Sequence, residues 1–293
     1  MPRRERNQKT LFLGCVALTA SFSSLTSLVI PLAAWLLASA EVRAADAKPA
    51  VASPSPSELV VFGAASLRDV FARLAQAFER QNPGVKVLLN FGGSQELRTQ
   101  LENGAAADVF ASADHKNLDP LVAQGLASMS SDFACNELAL VVRAGLKADV
   151  KTLGDLPRVD RLVVGGEQVP IGAYTGELLE KAKNVWGTDF PRRVLAKVVS
   201  RELNVKQVLT KVVLGEADAG FVYRTDALAG GGLGTKARVV PLPASVNVVA
   251  RYPLAVLAKA PHPSLAGRWV DLLRSPTGLA ALRDAGFVPC PVP

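Results

Sequence analysis

Histidine and cysteine are scarce, with 2 His and 3 Cys in 293 residues. His115 and His262 stand far apart, with no cysteine or carboxylate at ligand spacing from either, so no metal centre is expected. No Gly-x-Ser-x-Gly phrase surrounds any candidate serine, and both histidines fall outside the strand-to-helix junctions described below. That argues against a secreted hydrolase using Ser66 or Ser94 as nucleophile. The formal net charge is +7, but the basic residues are spread along the chain without an aromatic-plus-basic strip, so nucleic acid is not an expected partner. There is no repeat of short period, which excludes a solenoid.

What is present begins with an address. Arg3, Arg4, Arg6 and Lys9 precede a stretch from Leu11 to Ala40 with no charged residue, followed by Val42-Arg43-Ala44. A basic start, an apolar run and a small-residue exit read as a secretory signal peptide over 1–44, cleaved after Ala44. The uncharged run is long enough to span a bilayer, but Pro31 and Ser21-Phe22-Ser23-Ser24 interrupt it. Too little apolar sequence precedes Cys15 for a lipoprotein site. Removal takes five basic and two acidic residues, leaving a mature charge of about +4 by the same counting. Residues 45–57, rich in Ala, Pro and Ser, read as a flexible mature N-terminus. Cys135 and Cys290 remain, either as a disulfide in an oxidising compartment or as a buried thiol and a separate tail thiol.

From residue 58 onward, apolar strand-like runs alternate with helix-period segments. Strands are expected at 58–63, 85–91 and 108–112, and helices at 67–81, 95–103 and 116–124. A second series has strands at 162–164, 196–199 and 219–222, with helices at 173–185 and 205–214. Strand candidates at 137–143 and 246–250 flank it, followed by a strand at 252–258 and two helices over 264–285. This is an α/β pattern of βαβ units and mostly parallel sheet. One βα series interrupted by another fits two lobes joined by two crossing strands, with a cleft between them as the natural ligand site.

Several junctions carry small polar residues where helices begin. Ser66, in Gly63-Ala64-Ala65-Ser66-Leu67-Arg68-Asp69, stands at an expected N-cap with Asp69 completing an approximate capping box. Ser94, in Phe91-Gly92-Gly93-Ser94-Gln95, repeats that position behind two glycines that let a bound group approach the backbone. Val169-Pro170-Ile171-Gly172 opens a helix in the second series, and Asn204 is an expected cap ahead of Val205. Helix N-termini carry unpaired N–H groups and partial positive charge, and so bind anions without charged side chains. On spacing alone the commoner role of each serine is a simple helix cap, and that of Tyr223 a packed aromatic with its hydroxyl bonded locally.

In order along the chain, Val61-Phe62-Gly63-Ala64-Ala65-Ser66-Leu67, Phe91-Gly92-Gly93-Ser94, Ala107-Asp108-Val109-Phe110-Ala111-Ser112-Ala113, Val169-Pro170-Ile171-Gly172, Asn204-Val205, Gly215-Glu216-Ala217-Asp218-Ala219-Gly220, Val222-Tyr223-Arg224-Thr225-Asp226 and Tyr252-Pro253-Leu254-Ala255-Val256-Leu257 resemble phrases of the periplasmic molybdate-binding proteins of ABC importers. The resemblance covers nearly all of the mature chain. It implies a type II periplasmic-binding-protein fold, with 58–136 and 250–293 as one lobe and 137–249 as the other. By position, it implies oxyanion contacts from the hydroxyls of Ser66, Ser94 and Tyr223 and from backbone N–H groups near Ile171 and Val205. No Lys or Arg would touch the anion. Its partners would be molybdate or tungstate, with sulfate or another tetrahedral oxyanion as the alternative, and the membrane permease of a cognate importer. It implies a monomeric periplasmic binding protein without enzymatic activity or cofactor. A ligand-sensing domain of a regulator shares such folds, but no DNA-binding helix pair is evident. Two positions depart from the family: Gln95 stands where Gly is common, and Ile171 where Ala is common.

Overall fold

The computed structural model describes residues 57–229 and 232–291. The expected signal peptide and nearly all of the expected flexible segment lie outside them. No helix among the described residues is long and apolar enough to cross a membrane.

The chain opens with β1 (Ser57–Ala64), a 3-10 turn (Ala65–Leu67), α1 (Arg68–Gln81), β2 (Val85–Gly92), α2 (Ser94–Glu102), β3 (Val109–Ala111) and α3 (His115–Ala123). β1 pairs in parallel with both β2 and β3, as a βαβ series requires. The two-residue alternation of β1 assigns its faces. Leu59 and Val61 pack with Phe71, Leu74 and Phe78 of α1 in the larger core, whereas Phe62 joins Leu97 and Leu101 of α2 and Leu118 and Leu121 of α3 in a smaller one. The sheet is thus covered on both faces.

β4 (Ser131–Arg143) is much longer than the strand expected at 137–143. Its first half pairs antiparallel with β9 (Val249–Val256) and its second half with β7 (Ala219–Tyr223) and β8 (Ala237–Val240). Between them lie β5 (Leu162–Gly165), α4 (Pro170–Trp186), α5 (Phe190–Leu195), β6 (Val198–Glu202), α6 (Val205–Val213) and α7 (Arg224–Leu228). β5 pairs in parallel with β6 and β7. The strand order is β2-β1-β3-β9-β4-β7-β5-β6, with β8 on β4. The result is a mixed sheet of two βα series in which β4 and β9 are the crossing strands.

Two expectations change, and three short elements are added, for physical reasons. The strand expected at 196–199 starts at Val198, because Ala196 ends α5 and Lys197 N still donates to Val194 O at 3.0 Å. The strands expected at 246–250 and 252–258 are one strand, β9, which accommodates Pro253 where its carbonyl accepts from Ser112 N at 2.9 Å. Finally, β8, α5 and α7 have four to six residues each, too few to display a period.

The chain closes with α8 (Pro263–Arg274) and α9 (Pro276–Asp284). Trp269 of α8 meets Phe71 and Phe78 of α1 edge-on, at centroid distances of 5.4 and 5.5 Å. The tail then returns to β4, where Val288 N donates to Cys135 O at 2.9 Å and Cys135 is disulfide-bonded to Cys290. Of the two thiol states open from sequence, the structure has the bonded one.

Candidate ligand-binding site

Ser66, Ser94, Ile171, Val205 and Tyr223 line one small cavity, together with Ala64, Ala65, Gly92, Gly93, Ala113, Val169, Pro170 and Asn204. Residues more than 150 positions apart in sequence therefore share one wall-to-wall space. No lysine, arginine, aspartate or glutamate is among the lining residues.

Neither serine is the cap that its position suggests. Ser66 lies inside the 3-10 turn, α1 starts after Leu67 without a side-chain cap, and Asp69 forms no capping box. The Ser66 hydroxyl instead meets Tyr252 Oη at 2.9 Å. Ser94 is the first residue of α2, with Gly93 as the N-cap residue, and its Oγ accepts from Ala113 N at 3.0 Å. Both hydroxyls are buried. Gly93 is required by close approach: a Cβ there would lie 2.2 Å from the carbonyl oxygen of Leu203.

Two further helices begin at the cavity. Pro170 opens α4, a position where its missing N–H costs nothing, and Ile171 follows. The Ile171 side chain is buried against Gly165, where a Cβ would come within 2.7 Å of Ile171 Cγ2. The larger residue at this position is thus absorbed inside the fold, leaving its backbone at the cavity. Asn204 caps α6 as expected, its side chain accepting from Gln207 N at 3.1 Å, and Val205 is the first helical residue. The starts of α2, α4 and α6 add partial positive charge at this end.

Tyr223 ends β7, and its hydroxyl is buried without a hydrogen-bond partner among the described residues. The local bond that spacing allowed is absent. Burial raises its pKa well above the ordinary tyrosine value, so it stays a neutral O–H donor.

Three groups beside the cavity escaped sequence reasoning. Tyr252 and Asn136 contact the Ser66 region from the crossing strands, through pairings that no local period signals. Lys206, next to Val205, lies 2.9 Å from Asp69 of α1 and 3.1 Å from Asp226 of α7. Burial works to lower the Lys206 pKa, but Asp226 and Asp69 outweigh it and the value is raised. Its charge is therefore committed to carboxylates. The histidines are less isolated than they look in sequence. His115 meets Asp119 at 3.0 Å and Asp132 at 2.7 Å, and His262 Nδ1 lies 3.7 Å from Asp108. Even so, no group of three potential metal ligands occurs among the described residues.

Residues 59–288 match the family model described as bacterial extracellular solute-binding protein. The chain belongs to that family. It is a family of binding proteins, and no histidine is among the residues lining the cavity of Ser66 and Ser94. Molybdate-binding protein ModA of Mycobacterium tuberculosis is 38% identical over 241 residues, covering 82% of this chain and 87% of its own. Two solved structures share the fold. The periplasmic molybdate-binding protein of Azotobacter vinelandii superposes with a TM-score of 0.68 at 23% identity, covering 80% of this chain and 100% of its own. The sulfate-binding protein SubI of Mycobacterium tuberculosis gives 0.71 at 20% identity, covering 80% and 87%.

Proposed function

We propose that this solute-binding protein captures molybdate, and tungstate as its near-isostere, in the cavity between Ser66 and Tyr223 and delivers it to an ABC importer. The observation that carries the reading is the Tyr223 hydroxyl, a neutral donor buried without a partner in a space lined by two other hydroxyls and three helix starts. A buried dianion is costly unless its oxygens are hydrogen-bonded. Charge-assisted bonds to four oxygens supply that compensation. The 38% identity to a named molybdate-binding protein supports the choice among oxyanions.

In this reading residues 58–136 with 250–293 form one lobe and contribute Ser66 and Ser94. Residues 137–249 form the other and contribute Tyr223 and the N–H groups at Ile171 and Val205. An anion bonded from both sides stabilises the closed arrangement over the open one, and hinge closure follows as a shift in population. The chain is exported by the segment 1–44, works as a periplasmic monomer, and presents both lobes to a permease.

Ser94→Ala and Tyr223→Phe test the residue assignment. Each removes one charge-assisted bond worth about 1.5–3 kcal/mol, so molybdate affinity should fall about ten- to hundred-fold with the unfolding midpoint retained. Wild-type affinity in both variants would overturn the assignment.

A further inference from the structure

Tyr252, on β9, is fully buried and is not among the residues lining the cavity, yet its hydroxyl lies 2.9 Å from Ser66 Oγ. The neighbouring amide sets which of the two hydroxyls donates. Asn136 Oδ1 accepts from Glu137 N at 3.0 Å, which fixes the carbonyl end of the amide. Asn136 Nδ2 therefore donates, to Thr225 Oγ1 at 2.9 Å and to Tyr252 Oη at 3.4 Å. Among the described residues, Ser66 Oγ is then the one acceptor within reach of the Tyr252 proton. Were Ser66 to donate instead, that phenolic proton would be a buried donor without a partner, the more costly arrangement.

Tyr252 accordingly donates to Ser66, and the Ser66 proton is the one left for the cavity. Ser94 reaches the same state by another route, because its Oγ already accepts from Ala113 N. Tyr223, with no partner at all, supplies a third O–H. The Ser66 and Ser94 hydroxyls are oriented the same way, each by accepting a bond from the surrounding protein.

Building on the oxyanion reading above, we propose that Tyr252 is a positioning residue for specificity: it holds Ser66 as a donor toward the bound anion, and so disfavours anions that bring a proton of their own. Hydrogen phosphate needs an acceptor in the site. Molybdate and tungstate do not. With one of its two lone pairs engaged by Tyr252, Ser66 has less acceptor capacity to offer a protonated anion and turns its own proton to the cavity.

Tyr252→Phe keeps the ring that packs edge-on against Tyr223 and Phe287, at centroid distances of 5.8 and 5.3 Å. The test is competition of molybdate by phosphate near neutral pH in wild type, Tyr252→Phe, Ser66→Ala and the double variant, with thermal unfolding followed alongside. Tyr252→Phe should narrow the preference for molybdate over phosphate by about five-fold or more, since one mispaired buried group no longer opposes phosphate. In the Ser66→Ala background the same change should leave the preference where Ser66→Ala alone puts it, because the responding hydroxyl is gone. A parallel loss of both affinities, with the preference unchanged, makes Tyr252 a packing residue and overturns this proposal alone. Wild-type protein that binds no oxyanion overturns the oxyanion reading and this proposal together.

Discussion

Gln95 Nε2 donates to the carbonyl oxygen of Leu203 at 2.8 Å, joining the start of α2 to the chain just ahead of α6. The bond runs from the Ser94 side of the cavity to the Val205 side, at the point where only glycine fits at position 93. Gln95 is where this chain departs from the glycine common in the family it resembles, and the departure adds a tie between the two walls. Its Oε1 is buried without a partner, so part of the gain is offset.

Gln95→Ala is therefore expected to loosen closure modestly. Molybdate affinity should fall about two- to five-fold, through faster release, for a net loss near 0.5–1 kcal/mol. Stopped-flow release rates check this, and an unchanged rate would contradict a tie between the walls.

Lys206 stands between Asp69 and the fully buried Asp226. Lys206→Met strands Asp226 without its cation and should cost about 3–5 kcal/mol in urea unfolding. Adding Asp226→Asn should restore most of that loss. Equal stability of Lys206→Met and wild type would show the pair to be idle.

His115 links α3 to the crossing strands through Asp132, which also pairs with Arg251 at 2.9 Å. Burial works to lower the His115 pKa, but the bonds to Asp119 and Asp132 outweigh it, leaving it above its ordinary 6.5. A raised folded pKa means that the protonated ring contributes fully below the unfolded value, and the contribution is lost as pH rises through the folded value. With the ring partly exposed, the effect is under about 1 kcal/mol. The stability difference between wild type and His115→Gln should be largest below pH 6.5 and shrink above it. A pH-independent difference would contradict this assignment.

The disulfide closes a sequence separation of 155 residues and fastens the tail that carries Phe287 to Tyr252. Cys135→Ala with Cys290→Ala should lower the unfolding free energy by about 2–5 kcal/mol. Guanidinium unfolding measures it, and no loss would mean that the tail holds without the bond.

The legible and illegible parts of this molecule divide by range. The βα series was readable because β1, α1, β2 and α2 each carry a local period and a local stop, and the small residues around Ser66 and Ser94 mark where strands give way to helices. Even there the local reading assigned the serines the wrong local job, since capping competes with long-range partners that spacing does not show. Tyr252 lies 186 positions from Ser66, and Lys206 137 from Asp69. Nothing near either residue announces the partner. The short α5, α7 and β8 were missed because elements of four to six residues form through packing against neighbours rather than through a pattern of their own.

Calorimetric titration of residues 45–293 with molybdate, tungstate, sulfate and phosphate measures the oxyanion preference itself. Molybdate and tungstate should bind tightly, and phosphate far more weakly. Phosphate or sulfate displacing molybdate, or no heat from any of the four, would contradict the proposed function.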